Sequence, residues 1–169
     1  MTETIKLMKA HTSVRRFKEQ ALSQEDLTEI LTAAQMASSW KNFQSYSVIV
    51  VRSQEKKDAL YGLVPQEAIR QSAVFLLFVG DLNRAEKGAQ LHTDTFQPQG
   101  VEGLLISSVD AALAGQKMPC WQLKAWAMVV SLLAWFDTSP KKWQSSLTYL
   151  TTPILSLGWH WVCQINIMM

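Results

Sequence analysis

The residues best suited to chemistry lie in a short basic segment near the N-terminus, residues 11–17, which reads HTSVRRF. Its two arginines, Arg15 and Arg16, provide planar guanidinium groups that can each donate two hydrogen bonds to a phosphate, and the hydroxyl side chains can add short hydrogen bonds. The segment is therefore a candidate phosphate-binding element. The alternative is a solvated basic loop, because short basic clusters are common on protein surfaces.

Two further segments carry polar groups that could contact a ligand. Residues 37–45, ASSWKNFQS, follow a predicted helix and enter a predicted strand, and such a junction can present Ser38, Ser39 and Gln44 to a flat heterocycle. Gln66 follows a proline and would present its carboxamide at the start of a helix. The alternatives are an ordinary loop with polar turn residues and a surface glutamine.

The chain has none of the sequence motifs that mark common self-sufficient active sites. It contains no GxSxG, no P-loop and no GxGxxG, and its three histidines lie far apart in the sequence. Its two cysteines, Cys120 and Cys163, form no CxxC motif, so we predict no metal site. If the protein is an enzyme, a bound cofactor is expected to supply the reactive group.

Hydrophobic periodicity and capping residues predict the elements that position these groups. Helices are predicted over residues 2–10, from Ser23 onward, from Ser53 to about Tyr61, at 66–71 and over 101–116. A strand is predicted over 45–52, and the unbroken apolar run at 73–80 predicts a strand that is covered on both faces. Residues 81–99 are polar and are predicted to form a long loop that acts as a lid.

These segments follow one another in a specific order. A basic H-x-S-x-R-x-F element precedes a capped helix, a Ser-Ser…Gln loop and a strand; a P-Q-E-A-I turn, a strand ending in GDLNR and a helix with SSVDAALAGQ follow. This order resembles the nitroreductase family of FMN-dependent NAD(P)H oxidoreductases, in its oxygen-insensitive nitroreductase and flavin reductase branch. The resemblance implies an α+β fold, with a mixed or antiparallel central sheet flanked by helices, and a homodimer with FMN at the subunit interface.

The resemblance also implies eight residues that bind the cofactor. They are His11, Thr12, Ser13, Arg15, Ser38, Ser39, Gln44 and Gln66. The first four would hold the FMN phosphate and ribityl chain, the next three would line the flavin, partly from the opposite subunit, and the last would hydrogen-bond the isoalloxazine ring. Thr12 stands where the family commonly has an arginine. No side chain is catalytic in this scheme, because flavin N5 carries the hydride from NAD(P)H to a nitroaromatic, a quinone or a free flavin.

The composition of the chain changes abruptly after residue 116. Six of the seven tryptophans and both cysteines lie in residues 117–169, and Asp137 is the only acidic residue there. Residues 1–116 contain 12 Lys and Arg against 13 Asp and Glu, whereas residues 117–169 contain 4 against 1. One folded domain rarely changes so sharply, so we divide the chain into a nitroreductase-like part, 1–116, and an aberrant Trp-rich tail, 117–169.

The genetic code offers an explanation for this tail. After Gln116 the family expects a continuing helix, a glycine-rich G-Y-G-G segment and, farther on, a basic K-x-R phosphate element, none of which is visible. Read in a shifted frame, the codons of residues 117–130 force alanine or glycine at several positions and permit NALLAAESLGYGG. We hypothesise that the chain is a frameshifted homologue, correct to about Gln116, whose C-terminal third is non-native, folds poorly and leaves FMN binding weak or absent. Pro119 is expected to break or kink the central helix.

Two alternatives for the tail stay open. Its tryptophans, together with Lys124, Lys141 and Lys142, could bind a membrane surface or a partner in a non-enzymatic remnant. The tail could also be a divergent end of an active oxidoreductase. The apolar stretch at 121–136 has 16 residues, fewer than the roughly 20 needed to span a bilayer, so a membrane protein is not expected.

Composition and the N-terminal sequence set two broader expectations. The chain is 18% charged with a net charge of +2, which argues against disorder and against a nucleic-acid partner. The first residues, MTETIKLMKAHTS, contain no apolar segment typical of a secretory signal, so a cytoplasmic location is expected.

Overall fold

Helices and strands alternate along the part of the chain that the computed structural model describes, which comprises residues 1–10, 21–92, 96, 100–125, 129–135 and 162–168. The helices are α1 (Glu3–Lys9), α2 (Gln24–Gln35), α3 (Gln54–Leu63), α4 (Glu67–Gln71), α5 (Asn83–Leu91) and α6 (Val101–Ala125). The strands are β1 (Tyr46–Val51), β2 (Val74–Gly80), β3 (Val129–Trp135) and β4 (Val162–Met168). The expected α+β class is therefore confirmed.

The four strands form one sheet in the order β1-β2-β4-β3. Each described pair is antiparallel, so the antiparallel form of the expected sheet is the one found. In the β1–β2 pair, Tyr46 lies opposite Gly80 and Val51 lies opposite Phe75. The loop that precedes β1 therefore lies beside the end of β2, and the chain enters β2 beside the end of β1.

Strand β2 is buried on both faces, which confirms the prediction from its unbroken apolar run. On one face, Leu76 and Phe78 pack with residues of α2 and α6, among them Ile30. On the other face, Phe75 and Leu77 pack with residues of β1, α3 and α4. The two apolar clusters fix the helices on opposite sides of the sheet, because each covers one face of the same strand.

Ser23 caps α2, as its position in the sequence predicts. Its Oγ accepts a hydrogen bond of 3.0 Å from the backbone N–H of Asp26 and donates to the Asp26 carboxylate. The side chain thus satisfies one of the free amide groups in the first turn, and the acid favours the positive end of the helix dipole. Ser53 occupies the same position before α3, but its side chain makes no capping hydrogen bond.

This difference between two serines predicts a difference in stability. We expect Ser23→Ala to lower the free energy of unfolding by about 1 kcal/mol, because the Asp26 amide loses its acceptor. Ser53→Ala removes the same hydroxyl from an equivalent position without a capping bond, and we expect a change of less than about 0.5 kcal/mol. Urea titration followed by circular dichroism measures both, and equal effects of the two substitutions would contradict the assignment.

One prediction about secondary structure is wrong, and of the break or kink predicted at Pro119 the break is not found. The segment at 81–99, predicted to be a loop and lid, contains α5, whose first amide, that of Asn83, donates to the Asp81 carboxylate over 2.9 Å. The helix is polar overall and none of its residues is buried, so it lacks the run of core residues from which the other helices were predicted. Pro119 does not end α6, which runs to Ala125. A proline removes only one amide donor from the helix, so the hydrogen bonds on either side of it can continue.

The tail contributes the end of α6 and the strands β3 and β4 to the described structure. Strand β4 lies between β2 and β3, with Val74 opposite Ile167. The hypothesis that the tail is non-native stays a prediction, since the position of a strand does not reveal its reading frame. None of the helices described is long and apolar enough to cross a lipid bilayer.

Candidate functional site

The loop between α2 and β1 brings two of the predicted ligand-binding residues together. The Ser39 hydroxyl accepts a hydrogen bond of 3.1 Å from the backbone N–H of Gln44. The Gln44 carboxamide donates to the Asn42 side chain over 3.2 Å. Ser39 and Gln44 are half-buried, whereas Ser38 is exposed and its hydroxyl has no hydrogen-bond partner among the described residues. The loop of residues 38–45 is therefore a compact unit with one open hydroxyl.

The backbone of this loop is strained. Lys41, Asn42 and Gln44 have φ angles of 48°, 56° and 52°, in the left-handed region that residues with side chains seldom adopt. Each such residue costs about 1 kcal/mol, and such conformations persist where the surrounding contacts require them. Contacts from outside the loop must therefore hold it in this shape.

Asp110 of α6 supplies the most buried of these contacts. It is 1% exposed, and its Oδ1 accepts a hydrogen bond of 3.0 Å from the backbone N–H of Trp40. Its Oδ2 accepts from the backbone N–H of Ser45 over 3.1 Å and from the Ser45 hydroxyl over 2.7 Å. One buried carboxylate thus fixes both ends of the strained segment, and these charged acceptors form stronger hydrogen bonds than neutral ones.

The start of α5 and the end of β2 hold the loop from another side. The Arg84 guanidinium donates to the carbonyl oxygens of Phe43 and Gln44, over 3.0 Å and 2.7 Å. The backbone N–H of Asp81 donates to the Ser45 carbonyl over 2.9 Å. Arg84 donates to backbone carbonyls of the loop, and Asp110 accepts from its backbone amides. One charged side chain thus satisfies hydrogen-bond acceptors of the loop and the other satisfies donors.

Tyr46 lies at the junction of the loop and β1 and is influenced by both charges. Burial raises the pKa of its hydroxyl, Arg84 opposes this shift, and the Asp110 carboxylate adds to it. The hydroxyl therefore stays protonated, and hence neutral, at physiological pH.

The loop also carries an exposed aromatic residue. Trp40 is 46% exposed, the Lys41 ammonium lies 4.7 Å from the centre of its ring, and Phe43 meets its edge with ring centres 6.1 Å apart. Phe96 lies 6.0 Å from Phe43. Such a cluster offers apolar contact area to a flat aromatic molecule.

Gln66 belongs to a separate segment. It precedes α4, is half-buried, and its carboxamide makes no hydrogen bond to the described residues, including the loop of residues 38–45. The helix behind it is held by α3: the Arg70 guanidinium pairs with Asp58 over 2.8 Å, and the Lys57 ammonium donates to the Ser72 carbonyl over 2.6 Å. These contacts fix the position of Gln66 and leave its amide available to a ligand.

Lys57 predicts a specific pH dependence of stability. It is 5% exposed, and burial lowers the pKa of its ammonium, against the opposing effect of Asp58. The folded state therefore binds fewer protons than the unfolded state between the lowered pKa and the ordinary value of 10.5, and the Lys57 contribution to stability increases with pH in that window.

We expect Lys57→Met to remove this contribution. Urea titration at each pH gives the free energy of unfolding of both proteins. We expect the unsubstituted protein to gain stability relative to Lys57→Met as the pH rises from 7 toward 10. Lys56→Met, at an exposed position on the same helix, is the control and should give a nearly constant difference. A difference for Lys57→Met that shrinks with rising pH would contradict the prediction.

The remaining predicted ligand-binding residues, His11, Thr12, Ser13 and Arg15, lie outside the described residues. Their proximity to the loop or to Gln66 is therefore still a prediction. Within the described part of the chain, no three His, Cys, Asp or Glu side chains come close enough to bind a metal ion.

Local sequence patterns do not identify the residues that hold the site. Asp110 is the one acid within SSVDAALAGQ, and an acid among small and apolar residues on a helix is the only signal in the sequence of a buried partner. Arg84 lies in the segment predicted to be a loop, and nothing in the local pattern distinguishes Lys57 from its exposed neighbour Lys56. All three act on groups distant in sequence, which local patterns do not reveal.

Comparison with known proteins gives a single family. The model of the family described as "Nitroreductase family" matches residues 8–118, a range that contains all eight predicted cofactor-binding residues. FMN reductase (NAD(P)H) of Bacillus subtilis is 38% identical over 117 residues, which is 68% of this chain and 47% of that protein. A second B. subtilis protein, FMN reductase (NADPH), is 33% identical over 121 residues, 70% of this chain and 49% of its own length.

The solved structures agree with the sequence comparisons. NfrA2 of B. megaterium has a TM-score of 0.88 and 26% identity, and the likeness covers 99% of this chain and 66% of that one. YcnD of B. subtilis, described as a hypothetical oxidoreductase, has a TM-score of 0.82 and 27% identity, with the same coverage. The chain spans about half the length of the curated relatives it matches and about two thirds of these structures. Its fold is that of the nitroreductases, and the chain belongs to the nitroreductase family.

Proposed function

We propose that the protein descends from an FMN-dependent oxidoreductase that uses NAD(P)H to reduce small molecules such as nitroaromatics, quinones or free flavins. The observation that carries the proposal is the family match over residues 8–118, which includes every predicted cofactor-binding residue. The names of the relatives support it, since two of them are FMN reductases that are at least 33% identical to this chain. FMN would supply hydride transfer at its N5 atom.

The described polar groups fit a flavin. An isoalloxazine ring presents carbonyl acceptors and an N–H donor, and the open Ser38 hydroxyl and Gln66 carboxamide offer both kinds of partner. Ser39 and Gln44 would line the ring from the strained loop. His11, Thr12, Ser13 and Arg15 would bind the phosphate and ribityl chain. In this scheme the protein binds and orients the cofactor and excludes water from it, and no protein side chain takes part in the chemistry.

We also propose that residues 1–116 are the nitroreductase-like part and that residues 117–169 are translated out of frame. The family match ends at residue 118, two residues beyond the change in composition. The likeness to solved structures extends over 99% of the chain, which is compatible with a tail that occupies the place of the family's own strands. The present chain would then lack the glycine segment and the K-x-R element, and its FMN binding would be weak.

The assembly we propose is a homodimer. Four apolar side chains lie at intervals of four residues along α6 and are exposed by 44–82%: Val101, Leu105, Val109 and Leu113. An exposed apolar stripe of this kind is typical of an interface between subunits. Sedimentation velocity should detect a dimer.

We further propose a cytoplasmic location, because NAD(P)H is the electron donor.

Two neighbouring arginines test the cofactor assignment. We expect FMN titration, followed by the quenching of its fluorescence, to detect weak saturable binding, and we expect Arg15→Ala to weaken it about tenfold or more, because a charge-assisted hydrogen bond to phosphate is lost. Arg16→Ala removes an equal charge one residue away and should have a much smaller effect. Equal losses in the two variants would contradict the assigned role of Arg15, and an absence of FMN binding to both this chain and its frame-restored form would contradict the proposed function.

A further inference from the structure

We propose that Asp110 is the positioning residue of the flavin-facing loop, and that its buried carboxylate sets the orientation of Ser39 and Gln44 toward the cofactor. The proposal rests on the proposed function for the identity of the ligand. The fixing of the loop by Asp110 is a separate claim about this chain, and it can be tested without any ligand.

The loop has a conformation that it would not retain alone. Its three left-handed residues, Lys41, Asn42 and Gln44, each have a backbone conformation that is unfavourable for a residue with a side chain. Inside the loop, the amide of Gln44 is bound by the Ser39 hydroxyl, but the amides of Trp40 and Ser45 have no acceptor within the loop. Both amides are instead bound by Asp110, so this one side chain fixes the loop immediately before and after the strained residues.

The position of Asp110 makes the contact rigid. It lies on α6, and the next residue, Ala111, packs at 1% exposure into the cluster with Leu76 and Phe78 of β2. The packing of α6 against the sheet therefore fixes the backbone position from which the Asp110 carboxylate reaches the loop. A rigid anchor lowers the entropy that the loop would lose when it binds a ligand, which raises affinity without a direct contact.

A carboxylate is also the group that the three donors require. Two of them, the Ser45 amide and the Ser45 hydroxyl, share Oδ2, while the Trp40 amide takes Oδ1. In Asp110→Asn one oxygen becomes an NH2 group, which cannot accept, so at least one buried amide is left without a partner in either orientation of the side chain. The substitution preserves the shape of the side chain, removes its charge and removes at least one of the positioning hydrogen bonds.

The experiment compares three variants of the full chain by amide hydrogen exchange and by FMN titration. Asp110→Asn should accelerate exchange in peptides covering residues 39–45 at least tenfold and weaken FMN binding at least tenfold. Ser45→Ala, which removes the hydroxyl and keeps both amides bound, should have a smaller effect on each. Ser107→Ala is the matched control, because Ser107 is a buried residue one turn earlier on α6 whose hydroxyl donates only to the Leu104 carbonyl over 3.2 Å. It should leave the exchange of the loop unchanged.

The outcomes separate this proposal from the proposed function. Faster exchange confined to the loop in Asp110→Asn supports the positioning role even if the unsubstituted chain binds no FMN, a result that would count only against the flavin. Unchanged exchange in the loop, or acceleration that is equal throughout the chain, would overturn the role of Asp110. Normal FMN affinity in a variant whose loop exchanges faster would overturn its link to the cofactor.

Discussion

Restoring the reading frame after Gln116 is expected to raise the affinity of the protein for FMN by at least two orders of magnitude. The restored frame permits NALLAAESLGYGG after Gln116, and we expect the family's basic K-x-R element to follow farther on. Two charge-assisted hydrogen bonds to the phosphate, at roughly 1.5–3 kcal/mol each, correspond to a factor of about 10² to 10⁴ in affinity. The glycine segment would add backbone amide groups, so this range is a lower bound for the whole change.

The measurement is FMN binding and NADPH oxidation by both chains, purified in the same way. The present chain should be nearly colourless, and the restored chain should retain yellow FMN through gel filtration. The restored chain with Arg15→Ala is the control, since it should lose a large part of the gain if the phosphate site is the cause. A present chain that is yellow, with stoichiometric FMN and NADPH oxidation, would contradict the prediction.

The coding DNA gives an independent test of the same event. Gln116, Lys117 and Met118 can be encoded by a run of adenines, where insertion or deletion of a base is easy. Tryptophan has the single codon TGG, which arises when a leucine codon CTG followed by G is read one base late. We expect sequencing across codons 116–118 to reveal a length change relative to related strains, and an intact frame in all of them would exclude the explanation.

Phe78→Ala is expected to lower the free energy of unfolding by about 3–5 kcal/mol, more than any other single substitution proposed for this chain. Phe78 is fully buried at the centre of β2, in the cluster that joins the sheet to α2 and α6. Truncation removes the aromatic ring and leaves a cavity that the surrounding strands cannot readily fill. The loss is comparable with the whole stability of many domains, which lies near 5–15 kcal/mol.

Urea unfolding followed by circular dichroism measures this loss. Val50→Ala is the control, because Val50 is 37% exposed on the neighbouring strand β1 and loses fewer contacts, so we expect a change within about 1 kcal/mol. Similar effects of the two substitutions would mean that the apolar cluster around Phe78 does not hold the sheet to the helices.

Several elements followed from the sequence because their causes are local. The N-cap at Ser23 depends on a residue three positions later, and the double burial of β2 depends on an unbroken apolar run. The order of the basic segment, the Ser-Ser…Gln loop and the SSVDAALAGQ helix was enough to indicate the family, which the match over residues 8–118 bears out. Helix α5 escaped prediction because its sequence is polar overall and none of its residues is buried.

The sequence by itself thus determined the family, the α+β class and the helices and strands that local periodicity and capping specify. Only the tertiary structure revealed how the candidate site is held, since Asp110 meets Trp40 and Ser45 across separations of 70 and 65 residues. The buried ammonium of Lys57 and the left-handed residues of the loop are equally invisible in the sequence, because neither has a distinctive local pattern. Contacts of this kind exist only after the sheet and α6 have packed, so no rule that reads neighbouring residues can supply them.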